Sequence, residues 1–174
     1  MLYTGKATIN AINAGVKVKK LLQLCTGAVY KEDGTSEGIH TERYDLVMEL
    51  VKQRKHSLVA FNWKHERDAL VELAEKRGYT YEVIDGSVPA QRRPEIVQRF
   101  QAGQIKVLFA HPQSAGHGLT LTKATCVIYY SNSFDAEHRL QSEERAPRIG
   151  QDKKVTYIDL ILCFHYQNLA CRLL

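Results

Sequence analysis

Four cysteines are all that this chain of 174 residues contains, and Cys25, Cys126, Cys163 and Cys171 form no C-x-x-C pair and no zinc-finger spacing with histidines. That dispersal argues against both a metal centre and a disulfide framework and suits reduced thiols. No run of eighteen apolar residues occurs, and no apolar leader follows a basic flank at the N-terminus. Neither a membrane span nor secretion is signalled, so a cytoplasmic location is expected. A phosphate cradle of the G-x-x-x-x-G-K-[ST] kind is also missing. Gly5-Lys6-Ala7 lacks both the upstream glycine and the hydroxyl that would hold magnesium. The lack of an early glycine-rich strand-to-helix loop counts against an enzyme that holds a nucleotide in a crevice of its own.

What is present suits one domain over residues 1–174. The hydrophobic content of 44% is ample for a single core, and the net charge of +5 with a pI near 9.0 leans towards a polyanionic partner. Ile9, Ile12, Val16, Leu21 and Leu22 approximate a helical stripe, and Tyr44, Val47, Met48 and Val51 make a cleaner one. Ser57 to Phe61 then reads as a strand buried on both faces, followed by a helix from His65 to Arg77 that Gly78 closes. The unit repeats, with a strand at 80–84, a helix at 91–101 ending at Gly103, and a strand at 105–110. Residues 125–130 and 154–162 supply two more strands. This alternation predicts an α/β fold, a three-layer sandwich whose mainly parallel sheet carries helices on both faces.

In such sheets ligands gather at the carboxyl ends of the strands. The segments that follow the predicted strands are Asn62-Trp63, Asp85-Gly86-Ser87, Gln113 to Gly118, and Ser131 to Phe134, so one sheet edge collects them all. Asp85 and Ser87 suit either turn and capping work or ligand contact. Trp63 and Phe134 suit either strand-end packing or base stacking. The Gly116-His117-Gly118 segment permits close backbone approach to a ligand, or simply a turn.

Gln141, Arg145 and Arg148 stand at offsets of zero, four and seven, which share one face of a helix, and guanidinium grips phosphate oxygens in bidentate fashion. Pro147 removes a backbone donor and disfavours a helical Ala146. The helix should therefore stop there, leaving Arg148 on a turn beside Gly150.

In their order along the chain, Asp85-Gly86-Ser87 with Gln91-Arg92-Arg93 and Phe100, then Ser114 to Ala124, then Gln141 to Gln151, resemble the second RecA-like lobe of a superfamily 2 helicase. The Arg148-Ile-Gly-Gln151 ending resembles the Swi/Snf-type branch, and residues 11–30 are similar to the helix and turn that lead that lobe in. The resemblance spans about residues 7 to 162. It implies a lobe that does not hydrolyse ATP alone: ATP and Mg2+ belong to an N-terminal RecA-like lobe on which this one closes.

By that resemblance Arg145 and Arg148 match the two arginines that reach the γ-phosphate, and Gln141 the polar position heading their motif. Gly116 and Gly118 match the glycine motif coupling the nucleotide site to the DNA track. Arg93 matches the arginine after the Asp-Gly-Ser turn and is a nucleic-acid candidate, or else decorates its helix start. Asn62, Trp63, Lys64, Ser114, Thr120 and Lys123 complete the set expected on DNA. Those contacts should fall mainly on the phosphate backbone, because a motor that steps along any sequence gains nothing from base readout. A stand-alone nucleic-acid-binding or scaffold module is the alternative. Departures include Pro147 in place of a usual histidine, His117 and Thr120 within the glycine motif, and Ser131 to Ala136 in place of a Trp-Asn-Pro-like turn. This variation resembles phage or prophage members. Residues 163–174 form an apolar tail where the family continues into an acidic helix, and a docked terminal helix or self-association through Leu173 and Leu174 is expected of it.

Overall fold

The computed structural model describes residues 2–3, 8–9, 13–114, 121–132, 154–165 and 168–172. Two short strands, β1 (Leu2–Tyr3) and β2 (Thr8–Ile9), pair antiparallel ahead of helix α1 (Ala14–Cys25). Ile9 therefore belongs to a strand, and the predicted leading helix starts later, where Asn13 caps it by accepting from the Val16 N–H at 2.9 Å. A second hairpin, β3 (Ala28–Tyr30) with β4 (Ser36–Gly38), separates α1 from α2 (Glu42–Lys52).

The alternating unit follows: β5 (Ser57–Ala60), α3 (Lys64–Lys76), β6 (Tyr81–Ile84), α4 (Arg93–Gln101), β7 (Val107–Ala110), β8 (Cys126–Tyr129) and β9 (Thr156–Asp159). Gly78 and Gly103 follow α3 and α4 with φ of 66° and 76°, the left-handed region in which a glycine ends a helix without steric penalty. Five strands form one sheet in the order β6-β7-β5-β8-β9, and every pairing within it is parallel.

Side chains alternate across this sheet with period two, which makes two cores. Val59, Phe61, Val107, Phe109, Ile128 and Tyr130 face α2 and α3, meeting Val47, Met48, Val51, Leu70 and Ala74. Leu58, Ala60, Leu108, Ala110, Val127 and Tyr129 face the other way, onto Ile96 and Phe100 of α4. The chain leaves β5 through α3 on one face, whereas from β7 it reaches Leu121 and Ala124 in the opposite core. That divergence beside the central strand is a topological switch, and it opens a crevice at the carboxyl edge.

The C-terminal reading changes more. The predicted strand over 154–162 divides: β9 stops at Asp159, and β10 (Ile161–His165) turns away to pair antiparallel with β11 (Asn168–Arg172). Instead of a docked helix, the tail forms a hairpin with His165 opposite Asn168. The two strands lie only two positions apart, the connection length of a tight hairpin.

Candidate functional site

The site is built on the sequel to β5. Glu66 is completely buried, and its Oε2 accepts from the backbone N–H of Asn62 at 2.8 Å, from that of Trp63 at 3.2 Å, and from the Ser131 hydroxyl at 2.8 Å. A glutamate at the third position of a helix normally reaches back in this way as half of a capping box. Trp63 has no side-chain acceptor to supply the other half, and Ser131, just after β8, donates the third bond to the same carboxylate oxygen. The Asn62 amide adds bonds to the Ser131 carbonyl at 2.8 Å and hydroxyl at 3.0 Å. Burial pushes the Glu66 carboxyl upward, and these hydrogen bonds only partly offset the shift. One buried acid thus pins the segments after β5 and β8 to each other.

A second clamp joins β6 and β7. Asp85 accepts from the Ser87 N–H at 2.8 Å and hydroxyl at 2.5 Å on one oxygen, and from Arg67 of α3 at 2.7 Å on the other. Burial alone would raise the Asp85 carboxyl, but the bonds from Ser87 and Arg67 outweigh it and hold the group below the usual range. Asp85 and Ser87 accordingly act as a turn. Arg93 donates to three backbone carbonyls, those of Val88 at 3.2 Å, Ser114 at 3.0 Å and Asp85 at 3.3 Å. Its guanidinium therefore ties the segment after β7 to the one after β6.

Behind this rim, Arg43 of α2 is buried, lies 5.1 Å over the Tyr130 ring, and donates to the carbonyls of Tyr130 and Leu160. Tyr130 stacks on Tyr44 with centroids 4.9 Å apart and donates to the Thr26 carbonyl at 2.5 Å. Burial raises the Tyr44 phenol to about 12. His65 Nε2 lies 3.2 Å from the Thr26 hydroxyl, and burial drives this imidazole down to about 4 against the weaker pull of Asp68, so it is neutral at physiological pH.

In front, α1 lines one side of an open cavity of about 750 Å³. Val18, Lys19 and Leu22 form one wall, Asn62 and Trp63 another, and Gln113 a third. Lys19 Nζ sits 5.5 Å from the centre of the Trp63 ring, close enough for cation–π attraction.

Of the predicted site residues, Asn62, Trp63, Arg93 and Ser114 meet at this carboxyl edge, and exposed Lys64 opens α3 beside them. Lys123 does not join them. Its backbone N–H bonds Gln101 at 2.8 Å, and its side chain lies near Gly103, at the amino-terminal edge where β7 and β8 begin. A position in sequence between the glycine motif and β8 does not reveal which edge of the sheet the loop has reached. Gly116, Gly118, Thr120, Gln141, Arg145 and Arg148 lie outside the described residues.

Glu66, Arg67 and Lys19 escape the sequence reading. The signal for Glu66 was its place three residues beyond Trp63, masked because a tryptophan does not advertise a helix cap. Among the described residues no group of three or more His, Cys, Asp or Glu could hold a metal, and no helix is long and apolar enough to cross a membrane. Cys25 and Cys126 are unbridged, and burial raises both thiols.

Residues 42–150 match the family described as "Helicase conserved C-terminal domain". The chain is 31% identical over 148 residues to "Putative protein p41" of Acyrthosiphon pisum secondary endosymbiont phage 1, covering 83% of this chain and 30% of that protein. It is 36% identical over 107 residues to "Chromodomain-helicase-DNA-binding protein 1-like" of Mus musculus, covering 61% of this chain and 12% of the mouse protein. Among solved structures, the C-terminal part of the Fun30 ATPase domain superposes with a TM-score of 0.64 at 25% identity, covering 68% of this chain and 40% of that one. The fold is thus RecA-like, and the chain spans under a third of the phage and mouse relatives.

Proposed function

The chain belongs to the helicase conserved C-terminal domain family, with Swi/Snf-type relatives and a phage homologue, and from that premise we propose that it works as the second motor lobe of an ATP-dependent DNA translocase. The observation that carries this reading is the convergence of the segments after β5, β6, β7 and β8 on one edge, held in mutual register by Glu66 and Arg93. A rim so braced is preorganised, as a surface that must close repeatedly on a partner lobe requires.

ATP and Mg2+ enter with an N-terminal RecA-like lobe, and this lobe completes the site. Arg145 and Arg148 supply cations to the γ-phosphate, where charge spreads over the transferred oxygens, and Gln141 orients polar groups beside them. Gly116 and Gly118 let the backbone approach the nucleotide and link that event to the DNA track. Lys64, Ser114 and Thr120 contact the phosphate backbone, while Asn62, whose donors go to Glu66 and Ser131, holds the rim beneath them. Arg93 acts one step back, by holding the Ser114 segment in place.

The test is reconstitution. The chain alone should show no ATP turnover, and mixing or fusing it with the N-terminal lobe of a Swi/Snf-type relative should produce turnover that DNA stimulates. Turnover by the isolated chain, or none from a folded two-lobe protein that binds both ATP and DNA, would refute the proposal.

A further inference from the structure

Backbone contacts leave the crevice between α1 and the rim unexplained. Its volume of about 750 Å³ falls within the range of about 300–1,000 Å³ typical of pockets that take small organic groups. Its chemistry is particular. Trp63 is half-buried and lines the crevice together with aliphatic Val18 and Leu22 of α1, and Val18 is 43% exposed. Gln113 brings an exposed amide to the same space, and exposed Lys19 holds its ammonium 5.5 Å from the centre of the indole.

We infer that this crevice is a stacking pocket for an unpaired nucleobase of a DNA strand, with Trp63 as the platform and Lys19 as the cation that follows the attached phosphate. The inference rests on the nucleic-acid reading above and adds to it that one base leaves the duplex track. An indole beside aliphatic side chains accepts a flat ring of any sequence, which suits a motor without base preference. The amide of Gln113 can meet the polar edge of the base as donor or acceptor. Lys19 has a long, exposed side chain, so it can leave the indole face for a phosphate while a base takes its place. The backbone that carries the platform is fixed, because buried Glu66 holds the Trp63 N–H and the preceding Asn62 N–H. An indole on a pinned backbone beside a long, exposed cation is an arrangement suited to capture of a base.

Trp63 is the sole tryptophan of the 174-residue chain, so its fluorescence reports on this pocket alone. Binding of labelled blunt duplex, the same duplex with a single-stranded overhang, and a mononucleotide would be compared by anisotropy and by quenching. The overhang should quench Trp63 and bind on the order of tenfold tighter than the blunt duplex, the gain expected of one stacked base. Trp63→Ala should erase that preference and Trp63→Phe restore most of it. Should Trp63→Ala fail to fold, Val18→Glu, at an exposed wall position, should erase the preference by placing an anion at the mouth. Equal binding of the two duplexes, or a preference that survives both Trp63→Ala and Val18→Glu, would overturn the pocket while leaving the motor-lobe reading intact. Quenching by the mononucleotide but by neither duplex would overturn the strand as its source. Loss of all DNA binding by the folded wild-type chain would instead strike the underlying reading.

Discussion

The two edges of the central sheet handle polar groups differently. At the amino-terminal edge, side chains fasten neighbouring strand starts one to another: His56 Nδ1 lies 2.8 Å from the Ile105 carbonyl, Lys106 donates to the Arg54 carbonyl at 2.9 Å, and the Gln101 amide joins Thr122 to Lys123. At the carboxyl edge the polar groups instead tie together the segments that follow the strands, around the mouth of a cavity. Glu66 reaches Ser131, Asn62 reaches Ser131, and Arg93 reaches Ser114. The first edge is closed on itself, whereas the second is braced around an open cavity of about 750 Å³. Among the described residues, polar groups brace the margin of this cavity.

Predictions that break or sharpen this contrast can be ranked. Phe100→Ala, in the core beneath both edges, should cost about 3–5 kcal/mol in chemical denaturation, because Phe100 is fully buried. Glu66→Leu should cost about 3 kcal/mol, since it strands two backbone donors and the Ser131 hydroxyl. It should also weaken DNA binding beyond what Phe100→Ala does at matched folded fraction. Glu66→Gln keeps an acceptor and should recover most of both losses. Arg93→Ala should cost about 1–2 kcal/mol by releasing three carbonyls, with DNA affinity dropping several-fold in a titration. Lys123→Ala, at the opposite edge, should stay within about 0.5 kcal/mol of wild type and leave affinity unaltered; a clear loss would return Lys123 to the DNA surface.

The carboxyl edge also responds to acid, through two buried neighbours. His65 has a folded value near 4 against an ordinary 6.5, so on lowering the pH the unfolded chain takes up the proton first. Its contribution to stability is fully present above pH 6.5, falls away between 6.5 and about 4, and is flat below. Glu66, raised by burial, tilts the curve the other way above its ordinary range. Denaturant midpoints measured for His65→Gln across this interval should vary less steeply than for wild type, and an unchanged slope would remove His65 from the account.

The parallel sheet was readable because its strands are apolar runs punctuated by helices with a 3.6-residue stripe and closing glycines, as at Gly78 and Gly103. The carboxyl-edge grouping of Asn62, Trp63 and Ser114 follows from topology alone. Two things were not legible. Long-range polar pairs such as Glu66 with Ser131 carry no periodic signal, and Lys19 meets Trp63 only through the packing of α1. The two terminal hairpins were misread because short apolar runs fit strand and helix equally well until a pairing partner is known.

The most direct measurement is ATP turnover by the two-lobe protein carrying Arg145→Ala and Arg148→Ala together. The account predicts a fall of at least about 10³-fold with DNA affinity little changed. Turnover equal to that of the unsubstituted protein would contradict it.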